Sequence, residues 1–291
     1  MKGSMVALVT PFKNNEIDYN ALERLLEFHL QNKTDAIVFL GTTAETATLA
    51  NDEKESLLRF ATQRVKGKMP FIIGTGTNNV KQTIINTSRA EHYEADAALI
   101  VTPYYNKPTQ EGIYLYYKEI VSKTNIPIIM YNVPGRTGCN QSADTTIRLA
   151  NDFPGRIIAI KEASGDLVQA GKIIKHAPKD FIVLSGEDAL NLPLMCIGAK
   201  GCISVTANIV PLQMSNMIHA ALEGNYEEAK RIHLELIEVN QNMFIETNPI
   251  PVKNALAMMG YIDKEVRLPL CDLKAESLIT LEKCLKSLKL I

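Results

Sequence analysis

Short apolar runs rich in β-branched residues recur along this chain, and polar residues close each of them. They begin at residues 5 (MVALVT), 36 (AIVFLG), 71 (FIIGTG), 97 (AALIVTP), 127 (PIIMYN), 157 (IIAIKE), 181 (FIVLSG) and 201 (GCISVTAN). Successive runs start roughly 20 to 35 residues apart, the length of one strand and its following helix. The stretches between them carry the helical period. Over 20–32 (ALERLLEFHL) apolar residues return every three to four positions, and 52–65 opens on Asp52, a residue suited to the N-cap.

Strands that are apolar on both faces, each followed by a helix, imply a parallel sheet covered by helices. Eight such units close into a (β/α)8 TIM barrel, an α/β fold. An open doubly wound sheet would show about five to seven strands and a GxGxxG turn after the first. Here the first strand runs instead into Thr10-Pro11-Phe12. Past residue 225 only helical periodicity remains, in YEEAKRIHLELIEV, PVKNALAMMGY and ESLITLEKCLKSLKL. The expected organisation is a catalytic barrel over 1–225 and a small C-terminal helical domain over 226–291.

Composition narrows the function. Of 291 residues 46% are hydrophobic and 22% charged, and no apolar run approaches the ~20 residues of a membrane span. The start, MKGSMVALVTPF, lacks the apolar core and cleavage site of a signal peptide. A soluble, cytoplasmic protein is expected. Lys and Arg number 31 against 32 Asp and Glu, so no basic field draws the chain to nucleic acid or membrane, and the partner is a small molecule. The five cysteines, Cys139, Cys196, Cys202, Cys271 and Cys284, form no CxxC and fit free thiols in a reducing compartment. The histidines, His29, His92, His176, His219 and His233, are scattered through helical stretches, so no metal and no cofactor is expected. After the seventh run, Ser185-Gly186-Glu187-Asp188 sets two carboxylates where a phosphate-binding barrel keeps glycine-rich loops.

In such a barrel the chemistry sits where the strands end. The sixth run ends in Lys161, and side-chain alternation points it either into the barrel or out to solvent. Inside, desolvation favours a neutral amine, which attacks a carbonyl carbon to form an imine that serves as an electron sink. Outside, it is an ordinary solvated lysine. Tyr131 ends the fifth run and offers a phenol to carry the protons of carbinolamine formation and dehydration. Thr42 and Thr43 after the second run offer hydroxyls for a keto-acid carboxylate or for proton transfer. Arg136, behind Pro134-Gly135, falls in an exposed loop, where it is either a two-pronged grip on a substrate carboxylate or an ordinary solvated arginine. Tyr104 and Tyr105 point to opposite sides if their segment is extended, one toward this barrel and the other toward a partner subunit.

At these residues the chain resembles the Schiff-base lyase family that holds the dihydrodipicolinate synthases and the N-acetylneuraminate lyases. GTTAET, GTGTN, VTPYYNKP, YNVPGRTG, IIAIKEASGD, SGED, GCISVTAN and NPIPVKNAL occur in family order across nearly the whole chain. YNVPGRTG discriminates within the family, because the synthases carry arginine here while the neuraminate lyases have a loop of small residues. The resemblance implies condensation of pyruvate with L-aspartate 4-semialdehyde to 4-hydroxy-tetrahydrodipicolinate, on the way to diaminopimelate and lysine. It implies that Lys161 holds pyruvate as imine and enamine, and that Thr43, Tyr131 and Tyr105 form the proton relay, Tyr105 being donated by a neighbouring subunit. Thr42 and Thr43 then match contacts to the pyruvate carboxylate, Arg136 the anchor of the aldehyde substrate, and Gly186 and Ile203 positions whose backbone lines the pocket. A homo-oligomer is implied, a tetramer built as a dimer of dimers.

Two departures stand out. Ala44 takes the place of the glycine usual in the second motif, which bears on backbone freedom there. Lysine-inhibited members use two histidines and a glutamate at the positions of Asn51, Lys54 and Gln82, although Asn78 and Tyr104 are kept. A carboxylate is lost and a cation added, and like charges about 4 Å apart repel by roughly 1 to 4 kcal/mol. Little or no inhibition by lysine is expected.

Overall fold

The computed structural model describes the whole chain, Met1–Ile291. Each of the eight apolar runs forms a strand: β1 (Gly3–Ala7), β2 (Ala36–Phe39), β3 (Phe71–Gly74), β4 (Ala97–Val101), β5 (Ile128–Asn132), β6 (Ile157–Glu162), β7 (Ile182–Ser185) and β8 (Gly201–Ser204). They are parallel, pair in sequence order, and close when β8 returns to β1 with Met5 opposite Ile203. The fold is therefore the (β/α)8 barrel expected from the pattern. Eight helices cover it: α1 (Tyr19–Gln31), α2 (Asn51–Val65), α3 (Val80–His92), α4 (Gln110–Lys123), α5 (Ala143–Asp152), α6 (Leu167–His176), α7 (Asn191–Cys196) and α8 (Pro211–Leu222). A two-residue antiparallel pair, Phe12–Lys13 with Glu16–Ile17, follows β1.

Alternation along the strands sorts the apolar residues into two sets. Met5, Val38, Ile72, Leu99, Ile129, Ala159, Leu184 and Ile203 face inward and fill the barrel. Their neighbours, such as Val6, Ile37, Ile73 and Ile160, face the helices and join the outer layer. Burial on both faces is why the strands read as continuous apolar runs. The outer layer does not stop at α8. It runs on through α9 (Tyr226–Asn242), α10 (Ile250–Met258) and α11 (Ala275–Ser287), so that Val6 of β1 and Leu285 of α11 belong to one apolar cluster. No helix is long and apolar enough to cross a membrane.

Helix starts differ from expectation in detail. The helix expected over 20–32 is α1, capped by the Asp18 carboxylate, which accepts from Ala21 N–H. Asp52 does not cap α2. That place falls to Ala50, whose N–H is taken by the Glu53 carboxylate at 2.8 Å, so Asp52 sits inside the first turn, where its charge still favours the helix N-terminus.

Candidate active site

Ala159 packs inside the barrel and Ile160 outside, so the next residue must point in. Lys161 does, and only 5% of it remains exposed. Strand register sets Tyr131 of β5 directly beside it on one flank and Leu184 of β7 on the other. Lys161 Nζ lies 4.4 Å from the centre of the Tyr131 ring. On the β7 side Gly186 closes against the lysine stem: a Cβ there would sit 2.9 Å from Lys161 Cγ and Cε and 2.8 Å from the Ala163 methyl. Glycine is thus required at 186 by close approach, and its N–H is held by the Glu162 carbonyl at 2.8 Å.

Behind the lysine, Glu162 is buried without a cationic partner but fully bonded. Its carboxylate accepts from Asn132 Nδ2, Ser164 N–H and Gln169 Nε2 at 2.8 to 3.2 Å. This network fixes the end of β6 from outside the barrel. Beyond β7 the two carboxylates seen in sequence part company. Asp188 is buried and accepts from Val205 and Thr206 N–H at 2.9 and 2.8 Å, which makes it a bracket between the last two strands. Glu187 is half-buried, and desolvation with the Asp188 charge holds its carboxyl above the usual range, against the opposing pull of Lys161. No three His, Cys, Asp or Glu side chains are grouped to hold a metal ion.

After β2 the chain makes a tight 3-10 turn, Thr42–Ala44, with Thr43 buried and Thr42 exposed at the rim. Ala44 is not the residue that needs glycine's freedom. The left-handed position is Glu45, at φ 53°, one residue later. Glu45 is held there because its buried carboxylate bonds Lys253 Nζ at 2.7 Å and Arg267 N–H at 2.9 Å. Both members of the Glu45–Lys253 pair have fully buried side chains. The two buried lysines therefore differ: Lys253 has its counter-charge, and Lys161 makes no ion pair.

Arg136 stands exposed at the mouth, on a single helical turn, Pro134–Thr137, rather than in the loop expected from sequence. Its guanidinium donates to the Asn248 carbonyl at 3.3 Å. Asn248 also donates its side-chain Nδ2–H to Thr43 Oγ1 at 3.0 Å. The sequence carries the NPIPVKNAL segment, but the segment alone gives neither Asn248 nor Lys253 a role. The available signal was Lys253 itself, a lone charge on the apolar stripe of α10.

The alternation argued for Tyr104 and Tyr105 does not hold, because the segment is a turn. Asn106 N–H bonds back to Tyr104 O at 2.8 Å, and Tyr105 takes φ 70°. Tyr105 is 88% exposed. Lys161, Tyr131, Thr43 and Ile203 are thus buried at the barrel's strand ends and Gly186 half-buried beside them, with Thr42 and Arg136 at the rim and Tyr105 out in solvent.

The closed parallel barrel with its polar groups gathered at one mouth defines the class, a (β/α)8 barrel protein with a candidate active site at its strand ends. Comparison with known proteins narrows it. Residues 1–288 match the Dihydrodipicolinate synthetase family, and the chain belongs to that family. The 4-hydroxy-tetrahydrodipicolinate synthase of Thermodesulfovibrio yellowstonii is 50% identical over 290 residues, covering 100% of this chain and 99% of that protein. Among solved structures, the dihydrodipicolinate synthase from Aquifex aeolicus superposes with a TM-score of 0.97 at 45% identity, over 100% of this chain and 99% of the other. That from Thermotoga maritima gives 0.98 at 42% identity, over 100% and 99%.

Proposed function

We infer that this enzyme condenses pyruvate with L-aspartate 4-semialdehyde to 4-hydroxy-tetrahydrodipicolinate, and that Lys161 carries the reaction as a Schiff base. The observation behind the second half is the inward, unpaired amine of Lys161 beside Tyr131. A neutral amine at that place adds to C2 of pyruvate, and the carbonyl oxygen leaves as water once it has been protonated. The imine then draws electrons from C3, which loses a proton and attacks the aldehyde carbon, whose oxygen takes up a proton to become the hydroxyl. The amine of the semialdehyde then adds to the imine carbon, closes the ring and expels the Lys161 amine.

Each of these steps moves a proton. Tyr131 is the nearest phenol, and the Thr42-Thr43 turn brings hydroxyls to the same mouth. Tyr105 joins the relay only if an oligomer carries it to a neighbouring mouth, which fits its exposure in one chain. Thr42 and Thr43 hold the pyruvate carboxylate, the backbone at Gly186 and Ile203 lines the pocket floor, and Arg136 takes the carboxylate of the aldehyde substrate. No metal or organic cofactor enters the scheme.

The proposed assembly is a homotetramer, a dimer of dimers, in the cytoplasm. Fold alone does not set it, since a monomeric dihydrodipicolinate synthase variant superposes with a TM-score of 0.98 at 42% identity. Incubation with pyruvate and aspartate semialdehyde, beside sialic acid and keto-deoxy sugar acids, tests the activity. Product from the first pair and no cleavage of the sugar acids is expected, and the reverse result overturns the assignment.

A further inference from the structure

Thr43 and Arg136 come from different βα units, yet both hang from one residue of the C-terminal segment. Asn248 donates its amide Nδ2–H to Thr43 Oγ1 at 3.0 Å, and its main-chain carbonyl accepts from Arg136 Nη2 at 3.3 Å. It is 4% exposed, and its Oδ1 is sealed from solvent with no partner in the chain. A sealed amide does not touch a ligand. It acts through the groups it holds.

The direction of the first bond matters. A threonine hydroxyl has one proton and two lone pairs. With Asn248 donating into the oxygen, the Thr43 proton is left to point at another acceptor, and a carboxylate is acceptor-only when ionised. We propose that Asn248 is a positioning residue that fixes the Thr43 hydroxyl as a hydrogen-bond donor to the carboxylate of pyruvate, while its carbonyl steadies Arg136 for the second substrate. One residue thereby sets the anchors of both substrates. This rests on the reading of Lys161 and Thr43 given above.

The two halves separate experimentally, because side-chain replacement removes the bond to Thr43 and leaves the main-chain carbonyl in place. Asn248→Ala also removes a buried acceptor that has no partner, so the loss of stability is small. Asn248→Leu keeps the shape and removes the donor, which guards against a collapse peculiar to alanine. For each variant, and for Thr43→Val and Asn248→Ala/Thr43→Val, KM for each substrate and kcat are measured. The pyruvate dependence of borohydride trapping at Lys161 is followed alongside.

Both Asn248 variants are expected to raise KM for pyruvate about tenfold, the worth of one oriented hydrogen bond, with KM for the aldehyde changed less than about twofold. In the Thr43→Val background Asn248→Ala should add nothing, since the hydroxyl it acts through is gone. An equal further loss in the double variant overturns the proposal, as does a defect confined to kcat or to the aldehyde KM, or an unchanged pyruvate KM. If wild-type enzyme traps no pyruvate at Lys161, the imine reading itself fails, and that result is independent of the Asn248 variants.

Discussion

Single residues around the Lys161 amine are constrained by space and direction. Strand alternation leaves Lys161 and Tyr131 only two directions each, and the sequence, apolar on both faces of both strands, does not choose between them; the packing of Ile129 and Ala159 inside the barrel and of Met130 and Ile160 outside it does. Gly186 is singled out in the sequence only through the family resemblance, which carries no physical reason; the structure supplies one for glycine there, the methylenes of Lys161 at 2.9 Å from where its Cβ would be. Gly186→Ala is therefore expected to push the lysine stem aside and lower kcat/KM at least about tenfold while the melting temperature moves little. Wild-type activity in that variant would remove the contact from the argument. Arg136→Ala should raise KM for the aldehyde substrate and leave pyruvate trapping intact, as measured by mass spectrometry after borohydride. Equal loss of trapping in a folded variant contradicts its assignment to the second substrate. Asn248 escaped the sequence reading because its partner Thr43 lies 205 residues away, and no local pattern reports a bond of that span.

At the scale of elements, the strands and helices were readable from period alone, while the ties between them were not. The turn Thr42–Ala44 is short and local, but it is braced by α10 through Glu45 and Lys253, residues 208 apart. Burial holds the Lys253 ammonium below the usual lysine range, with Glu45 acting in the opposite sense. Removing one partner strands the other charge in an apolar interior, so Lys253→Met is expected to cost about 3–5 kcal/mol in urea unfolding. Pairing it with Glu45→Leu should recover part of that loss. A single variant as stable as wild type contradicts the bracing role. Between α2 and α3, Lys54, Arg89, Thr46 and Asn86 line a small hollow, and burial together with the Arg89 charge holds the Lys54 ammonium below its ordinary value. Arg89 is paired with Glu55, which leaves Lys54 as the cation without an ion-pair partner there, and it disfavours a second. Millimolar lysine is accordingly expected to leave the rate unchanged, and half-inhibition in that range would refute the expectation.

For the whole molecule, burial also makes stability depend on pH through two histidines. His29 is fully buried, with Nδ1 at 2.9 Å from Thr34 Oγ1 and Nε2 unpartnered, and burial lowers its pKa to about 3. His233 is lowered for the same reason. A histidine depressed in the folded state contributes its full share above the unfolded value near 6.5. As pH falls from about 6.5 toward 3 the unfolded chain takes a proton that the native state refuses, and stability drops. The urea midpoint should fall between pH 7 and 5, less steeply in His29→Gln, and an identical slope in the variant would exclude His29 as the source. The central claim has a more direct test. The enzyme is incubated with pyruvate, reduced with borohydride, digested and sequenced by mass spectrometry. A reduced pyruvyl adduct on Lys161, absent from Lys161→Ala and from enzyme reduced without pyruvate, is the result the account requires. An unmodified Lys161 in an enzyme that still makes product, or an adduct on Lys253 instead, contradicts it.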